Sequence, residues 1–212
     1  MNQFFKNGQT VLFQGDSVTD CGRDRDDIQS LGSGYAAKIA QIYNTLFPTA
    51  EVKFVNKGVS GDRVHNLIER YIEDLMDINP DFISIFIGIN DVWRRYDAND
   101  PGTVEAFEEH YEYLLKMIRS HMPDTKIMLI EPFVLNSLPD RAAWREDLDP
   151  KIQVVRKMAA LYADYLLPLD GIMAANSTTK YTMQDLAVDG VHPTDTGHAI
   201  IAEAYLKTLE II

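Results

Sequence analysis

Apolar runs and apolar stripes alternate along this chain. Thr10-Val-Leu-Phe-Gln14 is a short apolar run closed by Gly15, the pattern of a buried strand. Tyr35, Ile39, Ile42 and Leu46 follow at helical spacing, and Glu51-Val-Lys-Phe-Val55 reads as a second strand. Val64, Leu67, Ile68, Tyr71, Ile72 and Leu75 mark one helix face that stops before Pro80. Asp81-Phe-Ile-Ser-Ile-Phe-Ile87 is almost continuously apolar, as expected of a central strand covered on both faces. Asp100-Pro101 reads as a cap and first helical position, opening a helix whose inner face is Val104, Phe107, Tyr111, Leu114 and Ile118. Lys126-Ile-Met-Leu-Ile130 is a fourth strand and Tyr165-Leu-Leu-Pro-Leu169 a short fifth. Between them Ile152, Val155, Ala159 and Tyr162 mark a helix, and a last helix starts near Asp195 and carries Ile201, Tyr205 and Leu209. The stretch from Pro132 to Pro150 reads as the longest loop, a candidate substrate wall.

Five strands alternating with five helices predict a parallel sheet with right-handed crossovers, in three α/β/α layers. The length of 212 residues fits one domain spanning 1–212. In such sheets ligands bind beyond the carboxyl ends of the strands, which here means the loops after Gln14, Val55, Ile87, Ile130 and Leu169.

Charge narrows the partners. The chain has 20 Lys+Arg against 32 Asp+Glu, a formal charge of −12, and that field repels phosphate backbones and anionic lipid. Neither nucleic acid nor a membrane surface is an expected partner. Cys21 is the one cysteine, so no internal disulfide forms. The N-terminus shows no signal-peptide core, and the apolar stretch Phe82–Ile89 is far short of the ~20 residues of a membrane span. A cytoplasmic location is expected.

The strand ends carry the chemistry. After the first strand comes Gly15-Asp16-Ser17-Val-Thr-Asp20; after the second, Asn56-Lys-Gly58-Val-Ser-Gly61-Asp62; after the third, Gly88-Ile-Asn90-Asp91-Val-Trp93-Arg94. Asp189-Gly-Val-His192 precedes the last helix. Each block has a bland reading: a capped turn at Asp16-Ser17, turn glycines at 58 and 61, a helix cap at Asn90, a surface ion pair at Asp189 and His192. Together they supply what acyl transfer through serine needs, namely a nucleophile, a base, a carboxylate that orients the base, and oxyanion donors. Four coincidences on one sheet edge explain the pattern poorly.

These blocks resemble those of the SGNH (GDSL-type) esterases and acylhydrolases, from residue 12 to about 198. Within that superfamily, Gly15-Asp-Ser-Val-Thr-Asp-Cys-Gly-Arg23, Asn56-Lys-Gly-Val-Ser-Gly61 and Ile87-Gly-Ile-Asn-Asp-Val-Trp-Arg94 are similar to the bacterial acetylxylan esterases. Val18 stands where the GDSL name has leucine. The resemblance implies the flavodoxin-like SGNH fold, with Ser17 as nucleophile, His192 as general base and acid, and Asp189 as its orienting carboxylate. It implies an oxyanion hole built from the Ser17 and Gly61 backbone N–H groups and the Asn90 amide. No cofactor and no metal are implied.

Other folds fit less well. Gln14-Gly-Asp-Ser-Val18 lacks the second glycine of Gly-x-Ser-x-Gly, and no Gly-x-Gly-x-x-Gly turn is present. Asp16, Asp20, Asp189, His192, Asp195 and His198 contain no His-x-x-x-His or Cys-x-x-Cys pair, which argues against a metal site. Cys21 reads as a small buried thiol, and His65, His110 and His121 as solvated helix residues. Asp16, Trp93 and Arg94 are candidate substrate contacts, although Trp93 and Arg94 read equally well as a packed indole beside an ion pair.

The expected function is a serine esterase that removes O-acetyl groups from carbohydrate such as acetylated xylo-oligosaccharides. An SGNH lysophospholipase, thioesterase or short-chain carboxylesterase is the alternative, and an inactive carbohydrate-binding module the remote one. A small-molecule ester, a sugar acetate, is the expected partner. A homo-oligomer is also expected, with Trp93, Trp144 and Ile211-Ile212 as interface anchors.

Overall fold

The sheet order is β2-β1-β3-β4-β5 and every pairing is parallel. This is seen in a computed structural model that describes residues 2–212. The strands are β1 (Thr10–Gly15), β2 (Lys53–Asn56), β3 (Phe82–Phe86), β4 (Lys126–Ile130) and β5 (Tyr165–Leu167). The chain order of the strands reverses between β1 and β3, the switch point at which open α/β sheets bind ligands.

Alternate side chains of each strand feed two cores. Val11 and Phe13 of β1 and Phe82 and Phe86 of β3 pack under α2 (Tyr35–Leu46) and α9 (Asp195–Thr208). Leu12, Ile83 and Ile85 point to the other face, under α3 (Val64–Glu69), α5 (Val104–His121) and α6 (Arg141–Tyr162). A third, smaller cluster of Ile89, Val92, Trp144, Leu148 and Val191 lies beneath the strand ends. The remaining helices are short: α1 (Ser17–Asp20), α4 (Asn90–Asp97), α7 (Leu169–Thr179) and α8 (Met183–Leu186). The sequence pattern missed all four.

Several boundaries differ from those expected. The helix after β2 stays regular only to Glu69, and Ile72–Met76 is a π-helical turn. Its extra residue rotates the face, so Ile72 is 69% exposed while Asp74 is buried and bonds Gln14 Nε2 at 3.2 Å. Asp74 also receives Arg70 and Lys57, which accounts for burying a carboxylate. Asp100-Pro101 does not start a helix. Thr103 is the cap of α5, its Oγ1 accepting the Ala106 N–H at 3.2 Å, and Asp100 pairs with Arg63 at 2.8 Å instead.

The long loop is half as long as its sequence suggests. Residues 141–150 form the first turns of α6, with Pro150 inside the helix. Pro150 removes one backbone bond, but Trp144, Leu148, Lys151, Ile152 and Val155 bury one face across it, and that burial outweighs the break. Trp144 and Ile211, expected at a subunit interface, are core residues here, 1% and 0% exposed. Cys21 is half-buried rather than buried, because it caps the four-residue α1 at the surface, with Sγ 3.3 Å from His198 Nε2. His65 and His110 are half-buried and face each other across α3 and α5. Among the described residues no helix is long and apolar enough to cross a membrane.

Candidate active site

The end of β1 and one long-range loop meet at Ser17, with β2 and β3 ending on either side of β1 at the same sheet edge. β1 ends at Gly15, Asp16 caps α1 by accepting the Val18 N–H at 3.0 Å, and Ser17 is the first residue of that helix. An N–H at the first helical position has no intrahelical acceptor, so the Ser17 N–H is available to an incoming oxygen. Across 175 residues of sequence, His192 Nε2 lies 2.9 Å from Ser17 Oγ. His192 Nδ1 in turn lies 2.6 Å from Asp189 Oδ2. The three groups form one continuous hydrogen-bonded chain, the arrangement in which a carboxylate holds an imidazole so that its far nitrogen faces a hydroxyl.

Asp189 is held by its own loop. Its Oδ1 accepts the N–H of Val191 at 2.9 Å and of His192 at 2.7 Å. Burial pushes the Asp189 carboxyl up, but the His192 ring and these two N–H groups outweigh it and hold the carboxyl down at about 2. The same hydrogen bond raises the His192 imidazole above its ordinary value, against the lowering effect of burial. Asp16 is pushed up to about 7 by complete burial.

The other expected oxyanion donors, Gly61 and Asn90, lie in the segments that follow β2 and β3. Gly61 has φ of +90°, a conformation that glycine adopts without strain, and a Cβ there would meet only open space. Gly58 serves packing instead, since its Cβ would lie 2.2 Å from the Asp20 backbone nitrogen. Asn90, the first residue of α4, is buried and its Nδ2 donates to the Asp62 carbonyl at 3.0 Å. The amide has a second N–H to offer. Arg70, which also holds Asp74, grips the Asp62 carboxylate and fixes the same segment from outside.

Comparison with known proteins gives the family and supports the fold. Residues 13–200 match the model of the GDSL-like Lipase/Acylhydrolase family. This chain belongs to that family. It is a carboxylic ester hydrolase. An acetylxylan esterase of Geobacillus stearothermophilus is 34% identical over 96% of this chain and 94% of its own. A crystal structure of that enzyme matches 96% of this chain and 95% of its own at a TM-score of 0.87. A GDSL-like lipase structure from Parabacteroides merdae, 31% identical, covers 98% of both chains at a TM-score of 0.92. Variants of the Geobacillus enzyme at a serine, an aspartate and a histidine three residues after that aspartate are described as catalytic mutants.

Within this GDSL-family fold the remaining candidates separate. The Trp93 ring lies 5.6 Å from the His192 ring and 5.1 Å from that of Trp144, so it borders the triad while packing on the cluster below. Arg94 does not join them: it pairs with Asp97 one turn along α4, at 2.5 Å. Asp16 is buried beneath Ser17 and presents no surface to a substrate. The other acids and the histidine of the Asp/His cluster are dispersed, Asp20 to Arg25, Asp195 to Lys38, and His198 to the Tyr35 N–H and Cys21. His198 is driven down to about 4 by burial, with Lys38 adding to the shift, and stays neutral at physiological pH.

One residue was legible in the sequence only as part of a candidate substrate wall, and its actual partner was not. Arg141 sits in the stretch that reads as a loop, yet its Nε donates to the Asp189 backbone carbonyl at 2.7 Å. No motif marks a side chain that recognises a backbone atom 48 residues away.

Proposed function

We propose that this chain removes O-acetyl groups from short acetylated carbohydrates through an acyl-enzyme on Ser17. The reading rests on the unbroken Ser17–His192–Asp189 chain of contacts, 2.9 Å and 2.6 Å, at the switch point of the sheet. Ser17 Oγ attacks the ester carbonyl carbon while its proton passes to His192 Nε2. The carbonyl oxygen becomes the oxyanion and is met by the Ser17 and Gly61 N–H groups and the free N–H of the Asn90 amide. His192 then gives its proton to the departing sugar hydroxyl, leaving acetyl on Ser17. Water enters, loses a proton to His192 and attacks the acyl carbon. His192 returns that proton to Ser17 Oγ as acetate leaves.

The sugar acetate is favoured by the acetylxylan esterase relative and by the apolar poverty of the strand-end loops. Phe133 and Leu135, which could have built an acyl groove, are 2% and 4% exposed and belong to the core. Trp93 remains beside His192. A homo-oligomer belongs to the same reading, with exposed Ile72, Leu161 and Val188 as apolar surface to cover. Light scattering that gives the monomer mass at micromolar concentration removes it.

Ser17→Ala tests the mechanism. The variant is expected to keep its fold and lose hydrolysis of p-nitrophenyl acetate to below about 1% of wild type, as removal of a nucleophile does. Retained activity would mean another nucleophile. Acetate release from acetylated xylo-oligosaccharides, compared with release of longer acyl groups from lipid and thioesters, tests the substrate.

A further inference from the structure

Arg141 is a buried cation, 6% exposed, at the first turn of α6. Its guanidinium carbon lies 4.0 Å from the centre of the Trp144 ring and 5.3 Å from that of Trp93. Trp93 is in turn the aromatic neighbour of His192, at 5.6 Å. The Nε hydrogen bond of Arg141 ends on the carbonyl of Asp189, the residue that orients the histidine. The next carbonyl in that loop, of Gly190, accepts the Leu135 N–H at 2.8 Å. A Cβ on Gly190 would lie 3.2 Å from Arg141 Cγ, so the side chain is packed directly on the loop. A buried guanidinium is costly to desolvate, and its acid partner, Asp140, is largely exposed. Stacking on two indoles and a backbone acceptor offset that cost; the Trp93 ring and the Asp189 carbonyl adjoin the Ser17–His192–Asp189 chain, and Trp144 backs Trp93 from the core.

We propose that Arg141 is a positioning residue for the reaction: it clamps the backbone of Asp189 and holds the Asp189–His192 loop and the Trp93 ring in register with Ser17. The proposal rests on the Ser17–His192–Asp189 reading above. Asp189 and His192 sit in a turn between α8 and α9 that the Ala187–Pro193 bridge closes on itself; that closure does not set the turn against Ser17, so its placement needs a tie to the rest of the protein. Arg141 and Leu135 supply that tie from the far side of the sheet edge.

The arrangement also has an electrostatic consequence. The charged and titratable groups around His192 are Asp189 from its own loop, Asp16 from the β1–α1 turn, Arg141 from α6 and the neutral His198 from α9. Both carboxyls favour the imidazolium, and Arg141 opposes it. Removing the cation therefore moves the acidic limb of the kcat/KM profile to higher pH.

The test is Arg141→Met, which keeps the bulk and the apolar stack, beside Arg141→Lys, which keeps the charge without the planar fork. Both are assayed on p-nitrophenyl acetate across pH, with kcat expressed per site titrated by a fluorophosphonate, so unfolded protein does not count. Arg141→Met is expected to lose about tenfold to a hundredfold in kcat, the scale of a small displacement of a reacting group, with KM within about twofold. Its acidic limb moves to higher pH. Arg141→Lys restores the wild-type limb but only part of kcat. Wild-type kcat per titrated site and an unmoved limb in Arg141→Met overturn the proposal, as does failure of both variants to fold, which assigns Arg141 to stability alone. Ser17→Ala run in parallel separates the two readings: if it stays active, the triad itself is wrong.

Discussion

The Asn90 side chain donates to the backbone carbonyl of Asp62 at 3.0 Å, so the residue that follows β3 holds the segment that follows β2. Two of the three expected oxyanion donors, the Gly61 N–H and the Asn90 amide, are thereby fixed to each other before any substrate arrives. Donors that need no rearrangement are worth most in the transition state.

Asn90→Ala is expected to lower kcat by roughly a hundredfold with KM little changed, since an oxyanion donor acts mainly on the transition state. Steady-state kinetics on p-nitrophenyl acetate measure it. A change confined to KM would move Asn90 to ground-state binding. Asn90 also anchors Asp62, so Asn90→Asp, which loses both N–H groups and sets a carboxylate against the Asp62 carbonyl, should fall at least as far.

The pH profile follows from the His192–Asp189 pair. The base must be neutral to accept the Ser17 proton, and its hydrogen bond to Asp189 raises the pH at which it becomes so. Activity is therefore lost as pH falls, with an acidic limb in kcat/KM centred above the ordinary ~6.5 of free histidine. A limb centred below that value would show that Asp189 does not stabilise the imidazolium.

Chain-length preference tests the shape of the opening. A methylene that found an apolar wall would gain ~0.8 kcal/mol, but Phe133 and Leu135 are committed to the core. On p-nitrophenyl esters from acetyl to octanoyl, kcat/KM is expected to peak at acetyl and fall by about tenfold or more by butyryl. Equal turnover of octanoyl would favour a lipid or thioester substrate.

Asp16 makes stability pH-dependent in the opposite sense from a salt-bridged carboxylate. Burial raises it to about 7, so the folded state binds more protons than the unfolded state between the ordinary carboxylate value and about 7. Stability falls as pH rises through that window. Asp16→Asn keeps the cap on Val18 and cannot ionise, so its melting temperature should gain on wild type between about pH 5 and pH 8. A constant difference at the two pH values would show that Asp16 ionises freely in the folded protein.

Five strands, their order along the chain and the blocks at their carboxyl ends were legible without coordinates, because period-two and continuous apolar runs report burial directly. Ser17, Asn90, Asp189 and His192 could be placed on the strand-end edge because they adjoin elements that the pattern marks, but their expected roles, and that of Gly61 in mid-loop, came from the resemblance of the surrounding blocks to a family. What was lost lay where tertiary contacts override local rules. Pro150 reads as a stop, yet α6 runs through it because Trp144, Leu148 and Ile152 bury a common face. Ile72 belongs to the apolar stripe, yet a π-helical turn sends it to solvent and brings Asp74 inward, where Arg70, Lys57 and Gln14 meet it. Asp100-Pro101 has the form of a helix start, but Arg63 recruits Asp100 and Thr103 caps instead. The sequence by itself determined which chemical groups stand at the strand ends, since the side chains and their order are local facts. Only the tertiary structure decided that Arg94 turns to Asp97 while Arg141 reaches Asp189, because a guanidinium takes whichever acceptor the packed chain brings within about 3 Å.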